Sequence, residues 1–91
     1  MFFQVKVRVN LATMLEFGRK LQANELDRSA IRTDTYCLRS DPAVGLSIWE
    51  AADRDALDEV FAAWRAYYLE AEITEMITAR DAMAHLMKQL H

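Results

Sequence analysis

Ile31-Arg32-Thr33-Asp34-Thr35-Tyr36-Cys37-Leu38-Arg39-Ser40-Asp41-Pro42-Ala43-Val44-Gly45-Leu46-Ser47-Ile48-Trp49-Glu50 is the stretch that decides the architecture. Its first part, roughly Ile31 to Arg39, is rich in Thr, Tyr, Cys and Leu and reads as a strand. Ser40-Asp41-Pro42-Ala43 is a turn, with the proline placed to preset φ. Val44 to Glu50 is the next strand, and Val44, Leu46 and Ile48 share one of its faces. Two strands joined by so short a turn form an antiparallel hairpin.

The flanks of this hairpin repeat one pattern. Upstream, residues 2–9 alternate Phe3, Val5, Val7 and Val9 with Gln4, Lys6 and Arg8, which is the period of a strand. Asn10 then stands where a helix N-cap belongs, and Leu11, Met14, Leu15, Gly18 and Leu21 follow at helical spacing to about Gln22. Gly18 on that stripe either lets the helix approach the sheet closely or is a tolerated glycine costing about 1 kcal/mol against alanine. Residues 23–30 are a polar, irregular connection.

Downstream, Asp53 or Asp55 caps a helix carrying Leu57, Val60, Phe61, Trp64 and Tyr68 on one stripe, with Tyr67 off it as an interface candidate. Residues 71–77 form a fourth strand, and Thr78 with Asp81 opens a last helix whose stripe is Met83, Leu86, Met87 and Leu90. That stripe reads as a surface for a neighbouring subunit. The order is β-α-β-β-α-β plus a C-terminal helix: an α+β, ferredoxin-like arrangement, with both central helices on one face of a four-stranded antiparallel sheet.

The other sheet face is then bare. With Phe3, Val5, Val7, Val44, Leu46, Ile48, Ile73 and Ile77 turned to the helices, the pleat sends Lys6, Arg8, Gly45, Ser47, Trp49, Glu72 and Met76 to the open side. Tyr36 is assigned to that side, and a bulge would bring Glu75 there as well. This mixture suits either a solvated face, with Trp49 at odds with it, or a cavity with apolar walls and a few convergent polar groups.

At 91 residues the chain is read as one domain, 1–91, with a thin core for its 53% apolar content, so a partner subunit or a cavity must take the surplus. The formal charge of −3 offers no cationic footprint for nucleic acid. One cysteine, Cys37, forms no internal disulfide, and no apolar run reaches membrane-spanning length; the expectation is a cytoplasmic protein. His85 and His91 lie six apart and far from Cys37, so no metal site is expected. Only Gly18 and Gly45 are present, which leaves no phosphate-cradling loop, and no cofactor is expected. General acid–base chemistry remains, with Glu75, Arg8 and Tyr36 as catalytic candidates and Lys6, Ser47 and Trp49 as ligand contacts. For each of these the alternative is an ordinary salt bridge or solvated group.

In element order, length and terminal helix the chain resembles the dimeric α+β-barrel superfamily, in which two such sheets pack through their bare faces. Leu46-Ser47-Ile48-Trp49-Glu50-Ala51-Ala52-Asp53-Arg54-Asp55-Ala56-Leu57 is similar to the strand-to-helix segment of cofactor-independent antibiotic-biosynthesis monooxygenases. The histidine those proteins often carry in the following helix is absent here, where Val60 and Phe61 stand. Overall length and the short tail also resemble muconolactone isomerases. The resemblance implies a homodimer or higher oligomer binding a compact apolar or aromatic molecule, as a cofactor-independent isomerase or monooxygenase. A non-catalytic assembly or regulatory module of the same fold is the alternative. An RNA-recognition module fits poorly, because the third strand lacks basic and aromatic residues interleaved for base stacking.

Overall fold

The computed structural model describes residues 1–90 and contains β1 (Phe2–Val9), a 3-10 turn (Leu11–Thr13), α1 (Met14–Gln22), β2 (Tyr36–Leu38), β3 (Asp41–Glu50), α2 (Arg54–Arg65), β4 (Tyr68–Met76) and α3 (Ala79–Gln89). The strands form one sheet in the order β2-β3-β1-β4, every neighbouring pair antiparallel. This is the ferredoxin-like α+β fold with a C-terminal helix. His91, weighed above as a metal ligand, lies outside the described residues.

The 3-10 turn that leads into α1, and α2 and α3, each start where a side chain takes up an orphan backbone N–H, whereas α1 itself has no side-chain cap at Thr13. Asn10 Oδ1 accepts from Ala12 N at 3.0 Å, Asp53 Oδ1 from Ala56 N at 2.8 Å, and Thr78 Oγ1 from Asp81 N at 3.1 Å. Asp53 is therefore the cap of α2, and Asp55 lies in its first turn. β4 begins at Tyr68, earlier than expected, so Tyr68 belongs to the sheet and not to the stripe of α2.

The hairpin pairs differently from its sequence reading. The turn is Arg39-Ser40, Leu38 sits opposite Asp41, and Pro42 falls inside β3 beside a register shift, where it has no paired residue on either neighbouring strand. Register also inverts β3. Phe3 lies opposite Trp49, Val5 opposite Ser47 and Val7 opposite Gly45, so those three β3 residues face the helices. Val44, Leu46 and Ile48 go to the open side instead. The expected parity of that strand is thus corrected by one residue, and a one-residue slip exchanges the faces of a whole strand.

A physical reason favours the observed register. It buries the largest side chain of the strand, and Trp49 Nε1 donates to Ser47 Oγ at 2.8 Å on the same face, so the indole goes in with its polar atom satisfied. Trp49 packs edge-on to Phe61 and Trp64, with ring centroids 5.5 and 5.4 Å away. Leu57 and Phe61 of α2 are fully enclosed, and Phe3 and Val5 of β1 are nearly so.

α1 meets this core through Phe17 and Leu21, while Leu11, Met14 and Leu15 stay exposed. Phe17 stacks on Tyr67 at 5.0 Å, and Tyr67, expected at an interface, is buried in the core. A Cβ at Gly18 would meet nothing within 4 Å, so the glycine serves no close approach and is the tolerated kind. α3 buries no residue at all. The radius of gyration is 15.4 Å, where about 12 Å is usual for a compact domain of this length.

Candidate functional site

Two regions of the molecule can be weighed as sites, one on each side of the sheet.

On the open side, cross-strand pairing sets side chains in rows. Tyr36, Leu46, Lys6 and Glu72 form one row; Val44, Arg8 and Glu70 form the next; Ile48, Gln4 and Thr74 a third. Arg8 Nη2 donates to Asp41 Oδ2 at 2.9 Å, and Arg8 Nε lies 3.7 Å from Glu70 Oε2. The hydrogen bond from Arg8 holds the Asp41 carboxyl below the usual carboxylate range, and the same bond raises the guanidinium. Beside this pair lies a shallow hollow of about 240 Å³ lined by Lys6, Leu38, Val44 and Glu72.

Of the six residues singled out from sequence, Arg8, Lys6 and Tyr36 thus share the open face. The other three do not join them. Ser47 and Trp49 are buried on the helix side, at 9% and 2% exposure. Glu75 lies opposite Phe3, and the irregularity in that pairing falls between Arg8 and Val9, too far along the strand to turn Glu75 over. Its parity stays that of Ile73, and it is exposed on an edge strand.

The covered side holds a larger feature that sequence reasoning missed. β2 is only three residues long, because the chain before it bends away from the sheet. The edge of β3 is still satisfied there: Arg32 N donates to Ile48 O at 2.8 Å, and Thr33 Oγ1 accepts from Ile48 N at 2.9 Å. A threonine hydroxyl has taken the place of a strand carbonyl, and residues 32–35 are freed to form a rim.

Between that rim, α1 and the sheet opens a cleft of about 520 Å³. Its walls are Val7, Val9, Phe17, Leu21, Ile31, Trp64 and Tyr68, and its polar groups come from Arg28, Thr33, Asp34, Thr35 and Cys37.

Gly45 lines the cleft, and its missing side chain lets the rim at Thr35 come down close to the sheet. A Cβ there would lie 3.2 Å from Thr35 Cγ2, 3.7 Å from Val7 Cγ2 and 3.8 Å from Cys37 Sγ. A glycine inside a strand is a sequence signal of close approach, but the sequence reading had turned Gly45 to the other face of the sheet. Trp64 is held in place by donating its Nε1 to Asp27 O at 3.1 Å, and Arg28 by donating Nη2 to Leu21 O at 2.8 Å near the end of α1. Burial pushes the Tyr68 phenol up to about 12, so it stays protonated at neutral pH and able to donate. Among the described residues no three His, Cys, Asp or Glu side chains are grouped as metal ligands.

No family model and no curated protein matches the chain. Among solved structures it is similar to a 5-chloro-2-hydroxyhydroquinone dehydrochlorinase from Burkholderia phenoliruptrix, in complex with 2,5-dihydroxybenzoquinone. The TM-score is 0.56 at 12% identity, over 89% of this chain and 98% of that one. It is also similar to an antibiotic biosynthesis monooxygenase, with a TM-score of 0.52 at 18% identity, over 87% of this chain and 99% of that one. At such identities the likeness is one of fold. It agrees with the superfamily resemblance read from the element order, and no residue role passes with it.

Proposed function

We propose that this chain binds a compact, flat aromatic molecule in the cleft between the sheet, α1 and the rim at residues 32–35. The observation that carries the reading is the cleft itself: about 520 Å³, walled by Phe17, Leu21, Trp64 and Tyr68, with a few polar groups converging on it. That is the size and lining of a small-molecule site, commonly about 300–1,000 Å³. A quinone-bound dehydrochlorinase and a monooxygenase among the similar folds support an aromatic ligand. Isomerisation or cofactor-independent oxygenation both develop negative charge on a ring oxygen, and the neutral Tyr68 phenol is a donor suited to it.

The assembly goes with the site. The chain exposes 6667 Å², roughly 1,200 Å² beyond what a compact monomer of 10.5 kDa presents. The excess is apolar in part, including Met83, Leu86, Met87 and Leu90 on α3. In the proposed homodimer the open sheet faces meet, enclosing Arg8, Lys6 and Tyr36 as polar groups between the two sheets, where they act on the assembly or on chemistry within it. Among the described residues no helix is long and apolar enough to cross a membrane; the free thiol of Cys37 suits a reducing compartment, and the proposal places the protein in the cytoplasm.

Calorimetric titration with naphthalene-2-carboxylate and naphthalene-2-carboxamide tests the cleft. Saturable binding of at least one probe is expected, weakened about ten-fold or more in Gly45→Val, whose added methyls occupy the floor. No binding of either probe, or equal binding by the Gly45→Val protein, defeats the reading.

A further inference from the structure

Among the described residues Arg28 is the one cation on the cleft wall, and its situation differs from that of the arginines engaged elsewhere. Arg8, Arg19, Arg32 and Arg54 each hold a carboxylate at 3.0 Å or less. Arg28 is tethered by one N–H to a backbone carbonyl, Leu21 O, and no carboxylate among the described residues forms an ion pair with it. A guanidinium has five N–H donors in a rigid fork, so the tether leaves the rest of the fork available beside Phe17, Leu21 and Trp64. The Tyr68 phenol lines the same space as a neutral donor. Against these stands Asp34, a carboxylate on the rim of the same cleft.

Resting on the reading of the cleft as a ligand site, the geometry points to the class of ligand: a flat aromatic oxygen acid carrying a single negative charge, a carboxylate or an acidic phenolate or enolate. Its ionised oxygens take the free edge of Arg28, and Tyr68 offers the second donor. Asp34 disfavours a second negative charge and favours a hydroxyl or an aromatic edge turned toward it. Arg28 is then the residue that selects charge, while Gly45 sets how large a ring is admitted.

Three probes of one ring system separate these elements: naphthalene-2-carboxylate, the uncharged naphthalene-2-carboxamide, and naphthalene-2,6-dicarboxylate. The monoanion is expected to bind about ten-fold or more tightly than the amide, and more tightly than the dianion. Arg28→Gln is expected to abolish the preference for the monoanion while leaving the amide within about two-fold of its original affinity. Arg28→Lys keeps the charge without the fork and is expected to retain part of the preference. Circular dichroism of each variant establishes that the fold is kept. Equal affinity for monoanion and amide, or a preference that survives in Arg28→Gln, overturns the assignment to Arg28 and leaves the cleft as an apolar aromatic site. Failure of every probe overturns the cleft reading as well.

Discussion

The two faces of one sheet differ in what covers them. On the helix side, Phe3, Val5, Ser47 and Trp49 are closed off by α2 and by the loop that carries Leu26 and Ala30. The aromatic rings there meet edge to face or stacked, at separations typical of a finished interior. On the open side, Leu46 and Ile48 are only partly shielded, between Lys6, Gln4 and the Arg8–Asp41 pair. Val44, beside Arg8, Asp41 and Glu70, is buried on this side, while Leu46 and Ile48 keep part of their surface open. The same strands supply both faces, so intrinsic strand preference does not separate them. A packed layer is dense because side chains from a second element fill the spaces between its own, and among the described residues no helix packs over the open face.

The largest expected effect lies on the finished side. Phe61→Ala removes a fully enclosed ring and is expected to lower unfolding stability by about 3–5 kcal/mol in urea titration, a large share of the roughly 5–10 kcal/mol usual for a small domain. Ile48→Ala, measured at concentrations dilute enough to keep the chain monomeric, is expected to cost about 1 kcal/mol or less. Equal losses would break the contrast and mean that the open face is as tightly packed as the core.

Next in size is assembly. Ile48→Asp places a charge in the middle of the open face and is expected to halve the mass seen by light scattering while far-UV circular dichroism is unchanged. A wild-type protein that is monomeric at high concentration, or an Ile48→Asp protein of undiminished mass, would show that the sheet faces do not meet.

The smallest effect is electrostatic. Asp41 is held below its unfolded value by the Arg8 hydrogen bond, so its contribution is fully present above about pH 4 and is lost as pH falls through the depressed folded value. Acid titration of wild-type protein should therefore lose stability over that interval, and Arg8→Gln should flatten the loss. The pair is solvent-exposed in the single chain, so the difference is slight there. Closure of a second sheet over it would enlarge the difference, which makes the comparison of wild type with Ile48→Asp a second readout of the same interface.

Much of the candidate site was hidden for one reason. The expected contacts rested on β3 turning Val44, Leu46 and Ile48 inward, and the alternation of that strand does not choose between its two sides. Trp49 and Ser47 offered a clue, since residues two apart share a face and a buried indole needs an acceptor. The cleft depended on less local facts: Thr33 replacing a strand carbonyl, Tyr68 starting β4 instead of ending α2, and Arg28 reaching the end of α1. None of these follows from periodicity, because each joins residues that are distant in sequence or lie in an irregular segment.

By itself the sequence determined the kind and order of the main strands and helices, the capping side chains of Asn10 and Thr78, and the alternation of β1, since these depend on side-chain period and on hydrogen bonds within a few residues. Lys6 and Arg8 share a face by the same periodicity, while Tyr36 joins them only through the register Tyr36–Leu46–Lys6. Only the tertiary structure decided which side of β3 is inside, where β2 stops, and that a cleft opens over Gly45. Those outcomes are set by register and packing between distant segments, where a shift of one residue exchanges every contact on a strand.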